Sequence, residues 1–277
     1  MSTEPAIEAA ILFSDADAIR RITLNRPEAA NALRPADRDR LIELINEADE
    51  DPAIRVVVIA ANGRHFCSGA DVTGIARASS ASSASSASSK RATDSMRKIM
   101  NGAQRLVAAV LDCGKPVIAV VNGAAAGIGA HLALAADLVV AADDASFVEV
   151  FVRRGLVIDG GGAYLLPRRI GMQKAKELAF FGDKLPAAEA LALGMVNRVV
   201  PAAELDAAAD EFARRLATGP TTAISLTKRL LNASPDGDRA ASFLAEAMAQ
   251  EIQSTAEDSR EGVRSFMERR PPEFRGF

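Results

Sequence analysis

The chain has 277 residues, of which 49% are hydrophobic and 25% charged, and its formal net charge at pH 7 is −3. This balance is typical of a soluble globular protein with a sizeable core, and it argues against a general nucleic-acid binder. Two cysteines and two histidines offer neither a disulfide framework nor a metal-ligand pattern. The acidic N-terminus lacks the features of a signal peptide, and no apolar run is long enough to span a membrane, so we expect a cytoplasmic protein.

Strand-like and helix-like segments alternate in the first part of the chain. Strands are predicted at 19–24, 56–60, 116–121 and 138–142, and helices at 35–49, 96–111 and 127–136. Such alternation predicts an α/β core with crossover helices. From residue 165 onward helical patterns dominate, at 173–181, 186–193, 201–217, 220–232, 239–257 and 258–269. Pro201 marks the predicted boundary between this core and a C-terminal helical region over residues 201–277.

One segment of low complexity interrupts the core. Residues 78–89 repeat the triplet Ala-Ser-Ser and contain no large aliphatic side chain. Because such a segment cannot bury enough apolar surface to order itself, it predicts a flexible surface loop or a mobile flap.

Two glycine-containing turns each follow a short β-type run and lead towards a helix. The first covers residues 66–71 and reads FCSGAD, and the second covers residues 122–129 and reads NGAAAGIG. Small residues at such a junction let a ligand approach the backbone, and a helix start offers unpaired N–H groups. If the two turns lay side by side, they could donate two hydrogen bonds to one oxygen that gains negative charge, which would form an oxyanion hole. The alternative is that both segments are ordinary turns that connect a strand to a helix.

The two turns resemble the paired signatures of the crotonase superfamily, the enoyl-CoA hydratase/isomerase family. Further segments in the same order are similar to that family: ITLNRP at 22–27, GLVIDGGG at 155–162, AAEALALGMVNRVV at 187–200 and the segment 260–270. The resemblance implies a spiral of ββα repeats over residues 1–200 that holds an acyl-CoA site. It also implies that the C-terminal helices cover this site and build a homotrimer or a dimer of trimers. Coenzyme A would enter as part of the substrate, with no permanently bound cofactor.

By motif position, the resemblance assigns the oxyanion donors to the backbone N–H groups of Ala70 and Ile128. Family members usually carry glycine where Ile128 stands. An isoleucine keeps the N–H donor, but its branched side chain needs room and a negative φ.

The acid and base residues depart from the hydratase pattern of the resembling family, which uses two glutamates. His131 and Phe151 occupy those two positions here. A phenylalanine cannot move a proton, whereas an imidazole titrates near neutral pH, so His131 is either an acid/base group or a histidine packed at the pocket edge. Glu149 would share a strand face with Phe151 and could replace the missing carboxylate, or it could be an ordinary solvated or salt-bridged glutamate.

Asp159 stands where some isomerases of the family carry a single catalytic carboxylate. Burial beside an apolar pocket would raise its pKa and suit it to carry a proton from C2 to C4 of a 3-enoyl thioester. Alternatively, Asp159 caps a helix that opens at Gly160.

The resemblance also implies a set of residues around coenzyme A. Arg26 would approach a phosphate, whereas Glu28 stands where the family often has a basic residue. Phe266 would either contact the adenine of a neighbouring subunit or be a core aromatic. The full set is Arg26, Glu28, Ala30, Ser68, Ala70, Asp71, Val72, Gly127 and Phe151.

The leading expectation is an enzyme that isomerises the double bond of an enoyl-CoA through Asp159. Hydration of an enoyl-CoA through His131 or Glu149 is the alternative within the family. A non-catalytic acyl-CoA-binding protein is a third possibility, because both hydratase glutamates are missing. A serine hydrolase is rejected, since the chain has no G-x-S-x-G segment.

Overall fold

The computed structural model describes residues 9–71 and 94–277, so Val72 and the serine-rich segment 78–89 lie outside the described residues. The described strands form a larger and a smaller sheet. The larger sheet has the order β1-β2-β3-β4-β6-β9 and contains β1 (Ile11–Ala16), β2 (Ile19–Leu24), β3 (Val56–Ala61), β4 (Val117–Val121), β6 (Leu138–Ala142) and β9 (Arg198–Val200). The smaller sheet has the order β5-β7-β8 and contains β5 (Ala124–Ala126), β7 (Ser146–Val148) and β8 (Lys184–Pro186). Pairing is antiparallel between β1 and β2 and between β7 and β8, and parallel elsewhere.

The apolar strands predicted from the sequence form the centre of the larger sheet. All five residues of β4 are buried, as are the first five of β3. A parallel strand that is covered on both faces reads as such a continuous apolar run. In β2 buried and partly exposed residues alternate, because its two faces have different surroundings. The strands β1, β5, β7, β8 and β9 were not predicted. The last four have only three residues each, which carry too little periodicity to be recognised.

The chain winds as a spiral in which a strand of the larger sheet, a strand of the smaller sheet and a helix follow one another. Strand β4 leads to β5 and then to a helix, and β6 leads to β7. After β3, Cys67 pairs with Ala125 in an isolated parallel bridge, so this turn of the spiral also reaches the smaller sheet. The described helices are α1 (Pro35–Glu50), α2 (Asp94–Ile99), α3 (Arg105–Asp112), α4 (Ile128–Ala135), α5 (Gly162–Ile170), α6 (Met172–Phe181), α7 (Ala187–Ala192), α8 (Leu205–Ala217), α9 (Thr221–Ala233), α10 (Arg239–Ser254) and α11 (Glu257–Glu268). A π-helical turn, Met100–Gln104, joins α2 to α3.

Helix α8 covers one face of the larger sheet. Its buried alanines, among them Ala208, Ala209 and Ala213, lie on the side that contacts β2, β3, β4 and β6. Small side chains let a helix approach the strands closely, which explains the alanine-rich sequence of α8. By its contacts α8 belongs with the sheet, although it follows Pro201. The division of the chain at residue 200 stays a prediction.

Of the last three helices, α9 is joined to the core by buried polar contacts, and α10 leaves apolar side chains exposed. In α9 the buried Lys228 ammonium lies 2.8 Å from Asp137 and donates hydrogen bonds to the carbonyls of Val110 and Lys115, each 3.1 Å away. In α10, Phe243, Leu244 and Met248 are each 61% exposed. Such a contiguous apolar surface is typical of an interaction site. Among the described residues, no helix has both the length and the apolar character needed to cross a membrane.

Candidate active site

The two glycine-containing turns lie directly against each other. The Cys67 N–H donates to the Ala124 carbonyl at 3.2 Å, and the Ala126 N–H donates to the Cys67 carbonyl at 2.8 Å. A Cβ atom on Gly129 would lie 2.3 Å from the Cys67 carbonyl oxygen, and one on Gly69 would lie 3.1 Å from the Ala126 carbonyl oxygen. At Gly129 the two backbones approach too closely for a side chain, and at Gly69 a tight contact combines with a φ of +106°, which favours glycine. The structure thus brings the two turns together as the sequence predicts.

The candidate oxyanion donors, Ala70 and Ile128, come directly after this contact. Ala70 is held from both sides, because the Leu33 N–H donates to Gly69 and the Asp71 N–H donates to Leu33. Ile128 is the first residue of α4, where an N–H has no carbonyl one turn earlier to receive it. Within residues 9–71 and 94–277, neither N–H donates a hydrogen bond to a protein acceptor. Among the described residues, no protein acceptor therefore competes with a ligand oxygen for either N–H.

The isoleucine at position 128 is accommodated by glycines around it. Gly127 and Gly160 have φ values of +52° and +56°, so the left-handed conformations fall on glycine while Ile128 itself is helical. A Cβ on Gly160 would lie 2.9 Å from Cδ1 of Ile128. The missing side chain at Gly160 supplies the room that the branched side chain needs.

His131 and Glu149 form a buried pair behind the turns. His131 is fully buried on α4, Glu149 is 3% exposed, and His131 Nε2 lies 3.0 and 3.2 Å from the two carboxylate oxygens. The ring of Phe151 stacks on the imidazole, with 5.6 Å between centroids and 7° between planes. The interpretation of Glu149 as a solvated residue is therefore wrong, whereas the alternative of a paired glutamate agrees with its contact to His131. The expected common strand is also wrong, since β7 ends at Val148, but both side chains still meet at His131.

The second imidazole nitrogen faces the glycine-rich turn at 160–162. His131 Nδ1 is buried and has no hydrogen-bond partner among the described residues. A Cβ on Gly160 would lie 3.5 Å from Nδ1, and one on Gly162 would lie 2.3 Å from Nε2. The run of glycines makes room for the imidazole, and it leaves one ring nitrogen directed at the turn that carries Asp159.

Asp159 does not cap the helix that follows it. Helix α5 begins at Gly162, its cap residue is Gly161, and no side chain caps it; Asp159 contributes only its backbone carbonyl, which accepts from the Gly162 N–H at 3.1 Å. The capping alternative is therefore wrong, and the carboxyl is half-buried. Burial raises the pKa of Asp159, while the charges of His131 and Arg38 act in the opposite direction.

Arg26, which the resemblance assigns to a phosphate, is engaged within the first motif. Its guanidinium donates to Asp71 at 3.2 and 3.3 Å, to Asp37 at 3.5 Å and to the Ala32 carbonyl at 2.9 Å. The geometry therefore favours a role in fixing this loop over a phosphate contact. Glu28 is exposed, and its carboxylate lies 4.0 Å from Arg26 Nε.

Sequence analysis missed Asn31, which organises the loop around Ala30. Asn31 is buried, accepts a hydrogen bond from the Arg26 N–H at 2.8 Å, and donates to the carbonyls of Asn62 and His65 at 2.9 and 2.8 Å. Its φ of +54° suits asparagine better than most residues, so an asparagine four residues after a proline was a usable signal. The Ser68 N–H donates to the Ala30 carbonyl at 3.0 Å, so this loop supports the first turn.

The structure also places Gly127 and Phe266, two further residues that the resemblance suggested. Gly127 adjoins Phe151, because a Cβ on Gly127 would lie 3.6 Å from its ring. Phe266 is 82% exposed on α11, so the interpretation as a core aromatic is wrong. Across the described part of the chain, no group of three or more histidine, cysteine or acidic side chains could hold a metal ion.

Comparison with known proteins places the chain in a family. The sequence model of the family described as enoyl-CoA hydratase/isomerase matches residues 14–276. A Rhodobacter capsulatus protein named "Probable enoyl-CoA hydratase" is 36% identical over 96% of this chain and 98% of its own length. The 1,2-epoxyphenylacetyl-CoA isomerase of Escherichia coli is 35% identical over 93% of this chain and 95% of its own. The crystal structure of an enoyl-CoA hydratase/isomerase from Cupriavidus metallidurans superposes with a TM-score of 0.88 at 33% identity, covering 99% of this chain and 98% of that one. With the spiral fold and the paired turns, these matches show that the chain belongs to the enoyl-CoA hydratase/isomerase family of the crotonase superfamily.

Proposed function

We propose that this protein isomerises the double bond of an enoyl-CoA, with Asp159 as the proton carrier. The observation that carries the proposal is that the turn holding the half-buried Asp159 carboxyl packs against Ile128, whose N–H has no protein acceptor among the described residues. The contact between Ile128 and Gly160 joins the second oxyanion donor to the turn that holds Asp159. A carboxyl whose pKa is raised by burial is a stronger base than a solvated one, which suits it to take a proton from carbon.

The proposed reaction needs no external proton donor. The Asp159 carboxylate removes a proton from C2 of a 3-enoyl thioester, and the electron pair of that bond moves to the thioester oxygen. The N–H groups of Ala70 and Ile128 stabilise the resulting enolate. When the carbonyl re-forms, the double bond moves to C2=C3 and C4 takes the proton back from Asp159, so the enzyme returns to its starting state.

Hydration of a 2-enoyl-CoA is the second candidate, and the unpartnered Nδ1 of His131 is the observation that favours it. In the tautomer that donates Nε2–H to Glu149, Nδ1 keeps a lone pair that could activate water. The pairing occupies the carboxylate of Glu149, however, which leaves the pair with one proton-accepting site. Isomerisation needs only one such group, whereas hydration needs a base and an acid.

The assembly and location are proposed on other grounds. The apolar side chains exposed on α10 support self-association through the C-terminal helices, and the family resemblance favours a homotrimer or a dimer of trimers. We also propose a cytoplasmic location, because Cys67 and Cys113 are both free thiols, as is usual in a reducing compartment. Acyl-CoA thioesters are the proposed substrates, and coenzyme A enters only as part of them.

The test is product identification from 3-enoyl-CoA and 2-enoyl-CoA substrates with the wild type, Asp159→Asn and the control Asp112→Asn, which changes an exposed carboxylate. We expect the wild type to convert a 3-enoyl-CoA to the 2-enoyl isomer and Asp159→Asn to lose about 10²–10⁴-fold in kcat. Asp112→Asn should retain full activity. Undiminished turnover by Asp159→Asn would refute the assignment. Solvent oxygen in a 3-hydroxyacyl product would establish hydration, and acyl-CoA binding with no turnover of any enoyl substrate would establish a binding protein.

A further inference from the structure

The buried contact between His131 and Glu149 indicates which protons the pair holds. Nε2 of His131 lies 3.0 and 3.2 Å from the two oxygens of Glu149, and among the described residues these are the only hydrogen bonds of that carboxyl. Because Nε2 faces both oxygens, a proton on Nε2 suits the contact, whereas a lone pair there would face an oxygen lone pair. Glu149 is therefore the ionised acceptor of an N–H group.

An ionised Glu149 needs a counter-charge, because it is only 3% exposed and His131 is fully buried. Beside a neutral imidazole, the buried carboxylate would keep one uncompensated negative charge, which is costly in a poorly solvated interior. A second proton on the imidazole, at Nδ1, turns the contact into an ion pair with no net charge. Burial of both groups therefore favours the imidazolium form of His131.

The Nδ1 edge of this imidazole faces the turn that carries Asp159. Nδ1 is buried and has no hydrogen-bond partner among the described residues. A Cβ on Gly160 would lie 3.5 Å from Nδ1, and Gly160 directly follows Asp159 in the chain. The Asp159 carboxyl is half-buried and is not hydrogen-bonded to Nδ1. The two groups therefore interact as charges across the glycine turn.

Few other charged groups face this part of the molecule. Strands β4 and β5 and the π-helical turn Met100–Gln104, which lie beside α4, contain no titratable side chain. The titratable side chains of the two neighbouring helices are exposed or bonded elsewhere: Arg105 and Asp112 on α3, and Tyr164, Arg168 and Arg169 on α5. The charges that lower the pKa of Asp159 are those of His131 and, to a smaller extent, Arg38 on α1.

The proposed reaction needs an ionised Asp159, because only a carboxylate can take a proton from C2. Burial raises the pKa of this carboxyl, which favours the protonated form and works against the first step. We propose that the imidazolium of His131 keeps Asp159 ionised, with Glu149 as the counter-ion that lets the imidazole hold its charge inside the protein. His131 acts through Asp159 without touching the substrate, so it is a positioning residue. Its role in catalysis rests on the proposed function, whereas its coupling to Asp159 can be measured without turnover.

The first test is NMR spectroscopy of the free protein with labelled histidine and aspartate. Because the chain has two histidines, His65→Gln identifies the signals of His131, and Asp159→Asn identifies the carboxyl signal of Asp159. We expect both ring nitrogens of His131 to carry protons at neutral pH. In Glu149→Gln the imidazole loses its counter-ion and one proton, so the pKa of Asp159 should rise. The control Glu204→Gln, which changes an exposed glutamate, should leave that pKa unchanged.

The second test is the pH dependence of isomerisation. In mildly acidic buffer Glu149→Gln should lose at least about tenfold in kcat, because less of its Asp159 is ionised. The loss should shrink as the pH rises, since Asp159 then ionises without help. A merely structural defect would lower kcat by the same factor at every pH.

Three results would overturn the proposal. They are a single protonated nitrogen on His131 in the wild type, the same pKa of Asp159 in the wild type and Glu149→Gln, and a loss of kcat that does not depend on pH. Thermal unfolding checks that Glu149→Gln is folded, and the protonation of wild-type His131 decides if it is not. If no isomerisation is found, the NMR measurements still show whether the two side chains are coupled. If they are not coupled, Asp159→Asn still tests the isomerase.

Discussion

Replacing Gly129 with alanine tests whether the two turns are in contact, on which the proposed oxyanion hole depends. A methyl group on Gly129 would lie 2.3 Å from the Cys67 carbonyl oxygen, 2.6 Å from its Cβ and 2.8 Å from its Sγ. Ordinary contacts begin at 3.4 Å, so the turns must separate by about 1 Å to admit it. The backbone carbonyl cannot rotate away, because it accepts a hydrogen bond from the Ala126 N–H at 2.8 Å.

The expected change in the free energy of unfolding combines the cost of overpacking with a small gain in helix propensity. Overpacking of this kind costs about 1–3 kcal/mol or more. Alanine in place of a helical glycine stabilises the helix by at most about 1 kcal/mol. We therefore expect a net loss of about 1–2 kcal/mol, and a fall in Tm of about 2–4 °C for each kcal/mol. Because a displacement of about 1 Å can cost about 10²-fold in rate, kcat should fall by about 10²-fold or more.

The matched control is Gly262→Ala, the same substitution inside helix α11. A Cβ on Gly262 would meet only the ring of Phe274, at 3.6 Å, so this variant should be neutral or stabilised by up to about 1 kcal/mol. Differential scanning calorimetry and steady-state kinetics on both variants measure the contrast. If Gly129→Ala keeps the wild-type Tm and kcat, the turns do not touch as described and the oxyanion assignment fails.

Three further predictions concern buried titratable groups. Asp159→Asn should raise the Tm at neutral pH while removing activity: the folded state holds the pKa of Asp159 above its unfolded value, so the ionised carboxyl destabilises the fold above that pKa. The increase in Tm should vanish when the pH falls below the usual pKa of a carboxyl group. Calorimetry as a function of pH measures this, and a Tm for Asp159→Asn below that of the wild type at neutral pH would contradict the prediction. Glu149→Leu removes the buried hydrogen-bond partner of His131 Nε2 and should cost about 1–3 kcal/mol in denaturant unfolding. Glu149→Gln keeps a hydrogen bond and should cost clearly less, and equal losses would refute the pairing. Burial raises the pKa of Cys67 to about 12 and that of Cys113 to about 11, so neither should react with a thiol reagent at pH 8 until the protein is denatured, and rapid labelling of the native protein would disprove this.

The sequence alone determined the features that depend on neighbours in the chain. The apolar runs that form β3 and β4 were readable because a strand buried on both faces has no polar positions. Helix α1 was readable because its buried residues recur at helical spacing. The two turns were recognisable because their glycines permit the close approach of two backbone segments. Together with the later segments, these features also carried the family resemblance.

Tertiary structure decided which side chains meet. Glu149 and His131 are 18 residues apart in sequence, and no periodicity indicates that one is the partner of the other. Arg26 was expected at a phosphate, but folding brings it to Asp71, 45 residues along the chain. His131 Nδ1 faces the turn that carries Asp159 only once α4 packs against α5. The local sequence pattern determines helices and strands because backbone conformation depends on adjacent residues. The pairing of charged side chains depends on packing between segments that are distant in the chain, and sequence spacing does not encode that packing.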